Sequence, residues 1–397
     1  MHTKKYMILL VIVLLISLAA IFNNQHESSA VTIDVNGQII KTVATYPGSP
    51  DELMIPKAAA EQALNMHIGW QKQGPLPKGI YYRDHVAVLM YHHLSEKPMP
   101  QFPWILSADR FDDQMNLLKQ EGFHVITMEQ YREFMLNGGA VPDNAVLLTF
   151  DDGYESFYEL AFPILKKYGY TAVNFVIVST IDHPDPNSVP KLNWEQMREM
   201  KRDGMGFYSH TYDLHHYGIV DAEGGERPAA SALLYIDDEN RNEMNTEYYN
   251  RVTRDLAKAE QRLKEELGNT DSAIAFPYGS YNDRLLSACD SLGIPLTFKI
   301  QDGINARTDR NASRINGGSQ NLTAVQTLEQ VKHIDSPMEL TLNNQRVALI
   351  GSAPEMRKGT LMVPFMQLCK DLHIDLNYDQ KSRIVKLNAH NGGLVKD

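Results

Sequence analysis

Cysteine is almost missing from this chain: Cys289 and Cys369 are the only two in 397 residues. Two thiols so far apart exclude a disulfide framework, and neither has a metal-site partner at short spacing. They read as small buried hydrophobes, with a single bridge left open as the alternative. Positive charge is also in deficit. Lys and Arg number 38 against 49 Asp and Glu, a formal net charge of −11. A polyanionic partner needs a basic face, so general nucleic-acid binding is not expected. A neutral polymer remains compatible. Compositional bias is absent as well. The 43% hydrophobic and 22% charged fractions are ordinary, so a sizeable core is possible and disorder is not the default. The length allows two or three domains.

What is present begins with a leader. Lys4 and Lys5 precede an uncharged apolar run over residues 6–22. One reading is a signal peptide, cut after Ala30 behind Ser28-Ser29; the other is an uncleaved membrane anchor. No small-residue site directly follows the run, which favours the anchor. Either way residues 1–25 export the rest, and the expected location is extracellular or at the cell surface.

The two ends then look like copies of one small unit. Residues 31–40 alternate around Asn36-Gly37, a hairpin signal. Residues 340–349 alternate around Asn343-Asn344. Met54-Ile55-Pro56 parallels Met362-Val363-Pro364, and Met66-His67-Ile68 parallels Leu372-His373-Ile374. Two accessory modules are expected, over residues 26–78 and 338–390. Met362-Val363-Pro364 is expected to open a helix, and residues 384–387 to close as a strand. Between the modules, residues 79–323 alternate strand and helix patterns. Apolar runs at 86–91, 145–150, 172–178 and 273–276 are separated by amphipathic stretches such as 108–121 and 194–202. Such alternation predicts parallel strands with helical crossovers, with chemistry at the carboxyl ends of the strands.

Three motifs fall at those ends. In Thr149-Phe150-Asp151-Asp152-Gly153-Tyr154 an apolar strand runs into two adjacent carboxylates. Adjacent carboxylates repel, and a bound cation removes that cost, leaving one as ligand and one as proton acceptor. A polar Asp-Gly turn is the competing reading. In Ser209-His210-Thr211-Tyr212-Asp213-Leu214-His215-His216 the pair His210 and His215 is five residues apart. That spacing does not put both on one helix face, so a loop must join them and His216 points elsewhere. Two histidines and a carboxylate form the ligand set of catalytic metal sites with open positions. The third motif, Ala275-Phe276-Pro277-Tyr278-Gly279, holds a turn whose backbone N–H can face a developing oxyanion.

In this order the motifs resemble the polysaccharide deacetylases, carbohydrate esterase family 4, over residues 86–322. The histidine spacing, Met90-Tyr91-His92-His93 and the long insert over 218–245 look most like the branch acting on poly-β-1,6-N-acetylglucosamine. The C-terminal module resembles the small domain named for the amino-terminal part of copper amine oxidase, and carries no copper ligands here. The resemblance implies an α/β fold, a distorted (β/α) barrel with fewer than eight repeats. It implies Asp151 as catalytic base, Asp152, His210 and His215 as metal ligands, and the Tyr278 N–H in the oxyanion hole. Pro277, Gly279, Tyr154 and His92 are assigned to substrate binding. The implied cofactor is one divalent ion, zinc first, with cobalt, nickel or iron as alternatives. The implied partner is a polysaccharide containing N-acetylglucosamine, and a membrane if the leader is uncleaved. Peptidoglycan, chitin and acetyl-xylan are the alternative substrates, and a non-catalytic polysaccharide-binding surface protein is the alternative function. Two departures stand out. Family members often carry an arginine where this chain has Ala275, pairing with the base. Many also have a late Leu-x-His motif supplying a general acid, and none is found here.

Overall fold

The structure is a computed structural model that describes residues 29–45, 53–72, 76–307, 309–333, 338–347, 354–379 and 382–388. The expected leader lies outside them. Among the described residues no helix is long and apolar enough to cross a membrane. The chain divides into two units, one of Lys72–Pro337 and one joining Met1–Gln71 to Met338–Asp397.

The larger unit is built on a sheet that nearly closes on itself. Its strands include β1 (Val86–Tyr91), β2 (Ala145–Asp151), β3 (Val173–Val176), β4 (Gly206–Ser209), β5 (Ile274–Ala275), β6 (Thr297–Phe298), β7 (Ile304–Asn305), β8 (Asn311–Ala312) and β9 (Ile315–Asn316). The order is β7-β1-β2-β3-β4-β5-β6-β8, and β9 returns to pair with β1. All pairings along it are parallel except that of β7 with β1. Closure falls on a single short segment. Asn311 pairs with Thr297 at one edge, and Ile315 pairs with Leu89 at the other. The segment changes partner across Ser313 and Arg314. This is the barrel-like α/β sheet expected from the sequence.

Every residue of β1 and β2 is buried, because parallel strands with helices outside are covered on both faces. Val86, Val88, Leu147, Val173, Phe175, Ala275, Phe298 and Ala312 share one core cluster. Ala87, Leu89, Val146, Leu148 and Phe150 fall in a second, with side chains of the outer helices. Period-two alternation therefore carries Leu147, Thr149 and Asp151 to the same face. The helices include α1 (Ala108–Gln120), α2 (Met128–Asn137), α3 (Phe162–Tyr168), α4 (Trp194–Arg202), α5 (Asn245–Leu267), α6 (Asp283–Ser291) and α7 (Ala324–Lys332). α1 buries Phe111, Met115 and Leu118 at helical spacing. Each such side chain contributes about 1.5–3 kcal/mol. Thr127 with Gln130, Asn193 with Gln196 and Thr323 with Gln326 form capping boxes that start α2, α4 and α7.

In the terminal unit the two expected modules are not separate. Both hairpins form as predicted, with Val35 opposite Gln38 and Leu342 opposite Gln345. Asn36, Gly37, Asn343 and Asn344 all take positive φ, as two-residue hairpin turns demand. The remaining partners are exchanged between the ends. Ser29–Val35 runs parallel to Ile384–Asn388. Met54–Pro56 runs antiparallel to the Met362, Val363 and Pro364 of its own apparent copy. Met362-Val363-Pro364 is therefore strand, and the helix starts one residue later, at Phe365. Val31, Ile33, Leu64, Leu340, Phe365, Leu368 and Val385 share one core. A half-copy leaves its strands unpaired and its apolar face open, so each completes the other.

Candidate metal centre and catalytic residues

Four strand ends deliver the site. β2 ends on Asp151, and the chain turns at once through two left-handed residues, Asp152 with φ 73 and Gly153 with φ 67. A Cβ on Gly153 would come within 3.1 Å of the Val176 side chain. The turn points the adjacent carboxylates in different directions. Lys191 Nζ donates to the Asp152 carbonyl at 2.9 Å and sits 3.6 Å above the Tyr154 ring. Leu192 N–H donates to the Gly153 carbonyl at 2.8 Å.

β4 ends one residue before His210. Thr211 follows with φ 71, a rare conformation for a β-branched residue. Two elements hold it there. The Thr211 and Tyr212 carbonyls accept from the N–H groups of Val178 and Ser179. The N–H groups of Tyr212 and Asp213 both donate to the Asp255 carboxylate of α5, each at 2.9 Å. The reversal brings His215 back beside His210, with ring centroids 4.8 Å apart. His216 is exposed, its Nδ1 2.8 Å from the Asp213 carbonyl, so it takes no part.

Asp152, His210 and His215 each offer one ligand atom, all within 4.8 Å of one another. Their Nε2 atoms stand 3.4 Å (His210) and 3.2 Å (His215) from Asp152 Oδ1. That oxygen is buried and has no hydrogen-bond partner. A buried carboxylate oxygen without a donor is costly unless a cation meets it, so the donor set fits a divalent ion. His210 Nδ1 lies 2.8 Å from the Ala275 carbonyl, which fixes it as the protonated nitrogen and leaves Nε2 as the donor to a metal. Burial opposes charge on Asp152, but His210, His92 and His215 outweigh it and hold its carboxyl well below the usual range. Burial, with His210 beside it, lowers His215 to about 4, so that ring is neutral and able to ligate near pH 7.

Asp151 faces a different partner. Arg314 is fully buried and grips both its oxygens, Nη1 donating to Oδ1 at 2.7 Å and Nη2 to Oδ2 at 2.8 Å. Arg314 Nε donates to the Lys299 carbonyl at 3.0 Å, so its plane is fixed. Burial again opposes the charge on Asp151, while Arg314, then His210 and His92, lower its pKa. Arg314 sits at the partner change between β8 and β9. Asp151 thus pairs with an arginine from the β8–β9 junction and not with one at 275, while the backbone of Ala275 orients His210. His92 directly follows β1, and its Nε2 lies 3.9 Å from Asp151 Oδ2. Arg314, Asp255 and Lys191 were given no role from the sequence. The available signal was a lone arginine beside the apolar Ile315, late in the strand–helix alternation.

The turn after β5 completes the ring of groups. Tyr278 has φ 57, and the N–H groups of Gly279 and Ser280 close the turn onto Phe276 and Pro277. Pro277 is buried, and a Cβ on Gly279 would meet Ile300 at 2.3 Å. The Tyr278 ring lies 4.6 Å from that of His215. Tyr154 packs on His93 at 5.0 Å, and burial together with Asp152 pushes its phenol up to about 12.

The sequence profile described as polysaccharide deacetylase matches residues 138–297. A solved de-N-acetylase from Aggregatibacter actinomycetemcomitans is 31% identical and covers 58% of this chain and 94% of that one, with a TM-score of 0.54. The chain belongs to the polysaccharide deacetylase family. Among curated relatives, a poly-β-1,6-N-acetyl-D-glucosamine N-deacetylase of Escherichia coli strain K12 is 28% identical over 230 residues. That match takes in 55% of this deacetylase-family chain but only 34% of the relative, so the chain spans about a third of that relative's length. One of the same name from Staphylococcus aureus is 24% identical over 240 residues, 57% of this chain and 76% of its own.

Proposed function

We propose that this chain is a metal-dependent N-deacetylase of an extracellular or cell-surface polysaccharide, with poly-β-1,6-N-acetylglucosamine as substrate. The observation that carries this is the separation of the two adjacent carboxylates. Asp152 turns to His210 and His215, and Asp151 turns to Arg314. The printed activity of the curated relatives supports the substrate. Zinc is the preferred ion, since two imidazoles and one carboxylate are the ligand types of catalytic zinc sites.

Bound there, a divalent ion would polarise the acetamide carbonyl and favour ionisation of water near neutral pH. The protein's own groups do the rest. Asp151 is ionised and aimed by Arg314, and takes a proton as water attacks the carbonyl carbon. The Tyr278 N–H donates to the oxyanion as it forms. Pro277 and Gly279 serve by holding that amide in place, and Tyr154 walls the site beside Asp152. His92, within 3.9 Å of Asp151, faces the same space and supplies the proton to the departing nitrogen as the C–N bond breaks. Acetate and a free sugar amine result. Arg314 on Asp151 and His92 within 3.9 Å of it support this reading over a non-catalytic polysaccharide-binding role.

The test is acetate release from β-1,6-linked N-acetylglucosamine oligomers by the zinc-loaded chain, with β-1,4-linked oligomers alongside. Faster release from the β-1,6-linked set is expected. Equal or faster release from the β-1,4-linked set would reassign the substrate.

A further inference from the structure

The long insert after His216 has no part in the chemistry above, yet its first strand begins beside the metal ligands. Tyr217–Ile219 pairs antiparallel with Glu226–Pro228, with Tyr217 opposite Pro228. Tyr217 and Ile219, two apart and so on one face, are 49% and 52% exposed. The Tyr217 ring lies 4.6 Å from the Tyr278 ring, which in turn lies 4.6 Å from His215. Tyr278 also donates its hydroxyl to the His215 carbonyl at 3.3 Å. A run of rings therefore leads from a metal ligand to the exposed face of the hairpin, one ring removed from the reacting centre.

The hairpin is held, not loose. Gly218 packs so closely that a Cβ there would meet Leu234 at 2.5 Å. The Val220 carbonyl accepts from Asn242 Nδ2 at 2.6 Å, and Ala229 N–H donates to the His216 carbonyl at 2.9 Å. Among the described residues the Tyr217 hydroxyl has no hydrogen-bond partner. An amphipathic ring fixed in place, open on one face and next to a reacting centre, matches a pyranose, whose C–H face is apolar and whose rim is hydroxylated.

We propose that Tyr217, backed by Tyr278, is a stacking subsite for the sugar unit adjacent to the one that loses its acetyl group. The inference rests on the polysaccharide reading above and deepens it: the enzyme would select a chain over a single sugar. Tyr217 is a specificity residue here, not one that handles protons.

The test compares wild type, Y217A and Y217F on a β-1,6-linked N-acetylglucosamine dimer and pentamer. KM and kcat are taken from acetate release, and the pentamer Kd from calorimetry on the zinc-loaded chain. Y217A should raise the pentamer KM and Kd by about tenfold with kcat within about twofold, and Y217F should bind like wild type. Pentamer KM and Kd unchanged in Y217A, with native melting behaviour, would overturn the subsite. A wild type that releases no acetate yet binds pentamer through Tyr217 would reject deacetylation and leave the subsite standing.

Discussion

At the scale of single residues, the division of labour between Asp151 and Asp152 explains the site. One peptide bond separates them, and the left-handed turn at Asp152 sends their carboxylates to opposite partners. Asp151→Asn should therefore keep one metal per chain by elemental analysis while kcat falls by about 10²–10⁴-fold, the range for losing a general base. Metal loss in that variant would mean that the roles of the two carboxylates are exchanged. The Asp-Asp pair, both histidines and the Pro-Tyr-Gly turn were legible in the sequence because each follows an apolar strand directly. Arg314 was not. It is 163 residues from Asp151 in sequence, and only the closure of the sheet brings them together. Periodicity reports strands and their faces but not which buried carboxylate an arginine at a closing strand will reach across the sheet.

At the scale of elements, α5 holds the histidine loop from outside. Asp255 binds two consecutive N–H groups of a loop that carries an unfavourable Thr211 conformation. Asp255→Ala removes no ligand, yet it should weaken zinc affinity by about 10–100-fold in a chelator competition, because the loop loses the anchor that sets the His210–His215 approach. The same helix carries Glu260, whose Oε1 is buried without a partner and whose Oε2 accepts from Ser272 at 2.5 Å. Burial pushes its carboxyl up to about 7. An unfolded Glu titrates near ~4.3, so between these values the folded chain holds the extra proton. Its contribution to stability is greatest below ~4 and is lost as pH rises through about 7. Glu260→Gln should flatten that fall in urea melts and gain about 1–3 kcal/mol at pH 8 relative to wild type. Equal slopes in the two proteins would remove Glu260 from the account. None of this could be read beforehand, since a polar helix pattern does not say which of its acids will be covered.

At the scale of the whole molecule, the ends of the chain meet in one unit. The repeat was visible in the sequence as Met54-Ile55-Pro56 against Met362-Val363-Pro364, yet the reading made two modules of it. Local alternation fixes which residues are strand but not the partner, and here the copies pair with each other. Truncation after residue 337 should leave 54–56 and 68–72 without their partner strands and 29–35 with only its hairpin partner 38–44. Limited proteolysis should then cut within residues 29–71 of the truncated chain while sparing them in the full one. Protection of that segment after truncation would show that the N-terminal copy folds alone.

The central claim joins these scales: a cation held by Asp152, His210 and His215 beside an Arg314-aimed base removes acetyl groups from a polysaccharide. Acetate release from a β-1,6-linked N-acetylglucosamine pentamer, measured before chelation, after chelation and after zinc is restored, tests it most directly. The account predicts release that stops with the chelator and returns with zinc in the wild type, and no return in His210→Ala. Release that continues at the same rate through chelation would contradict it.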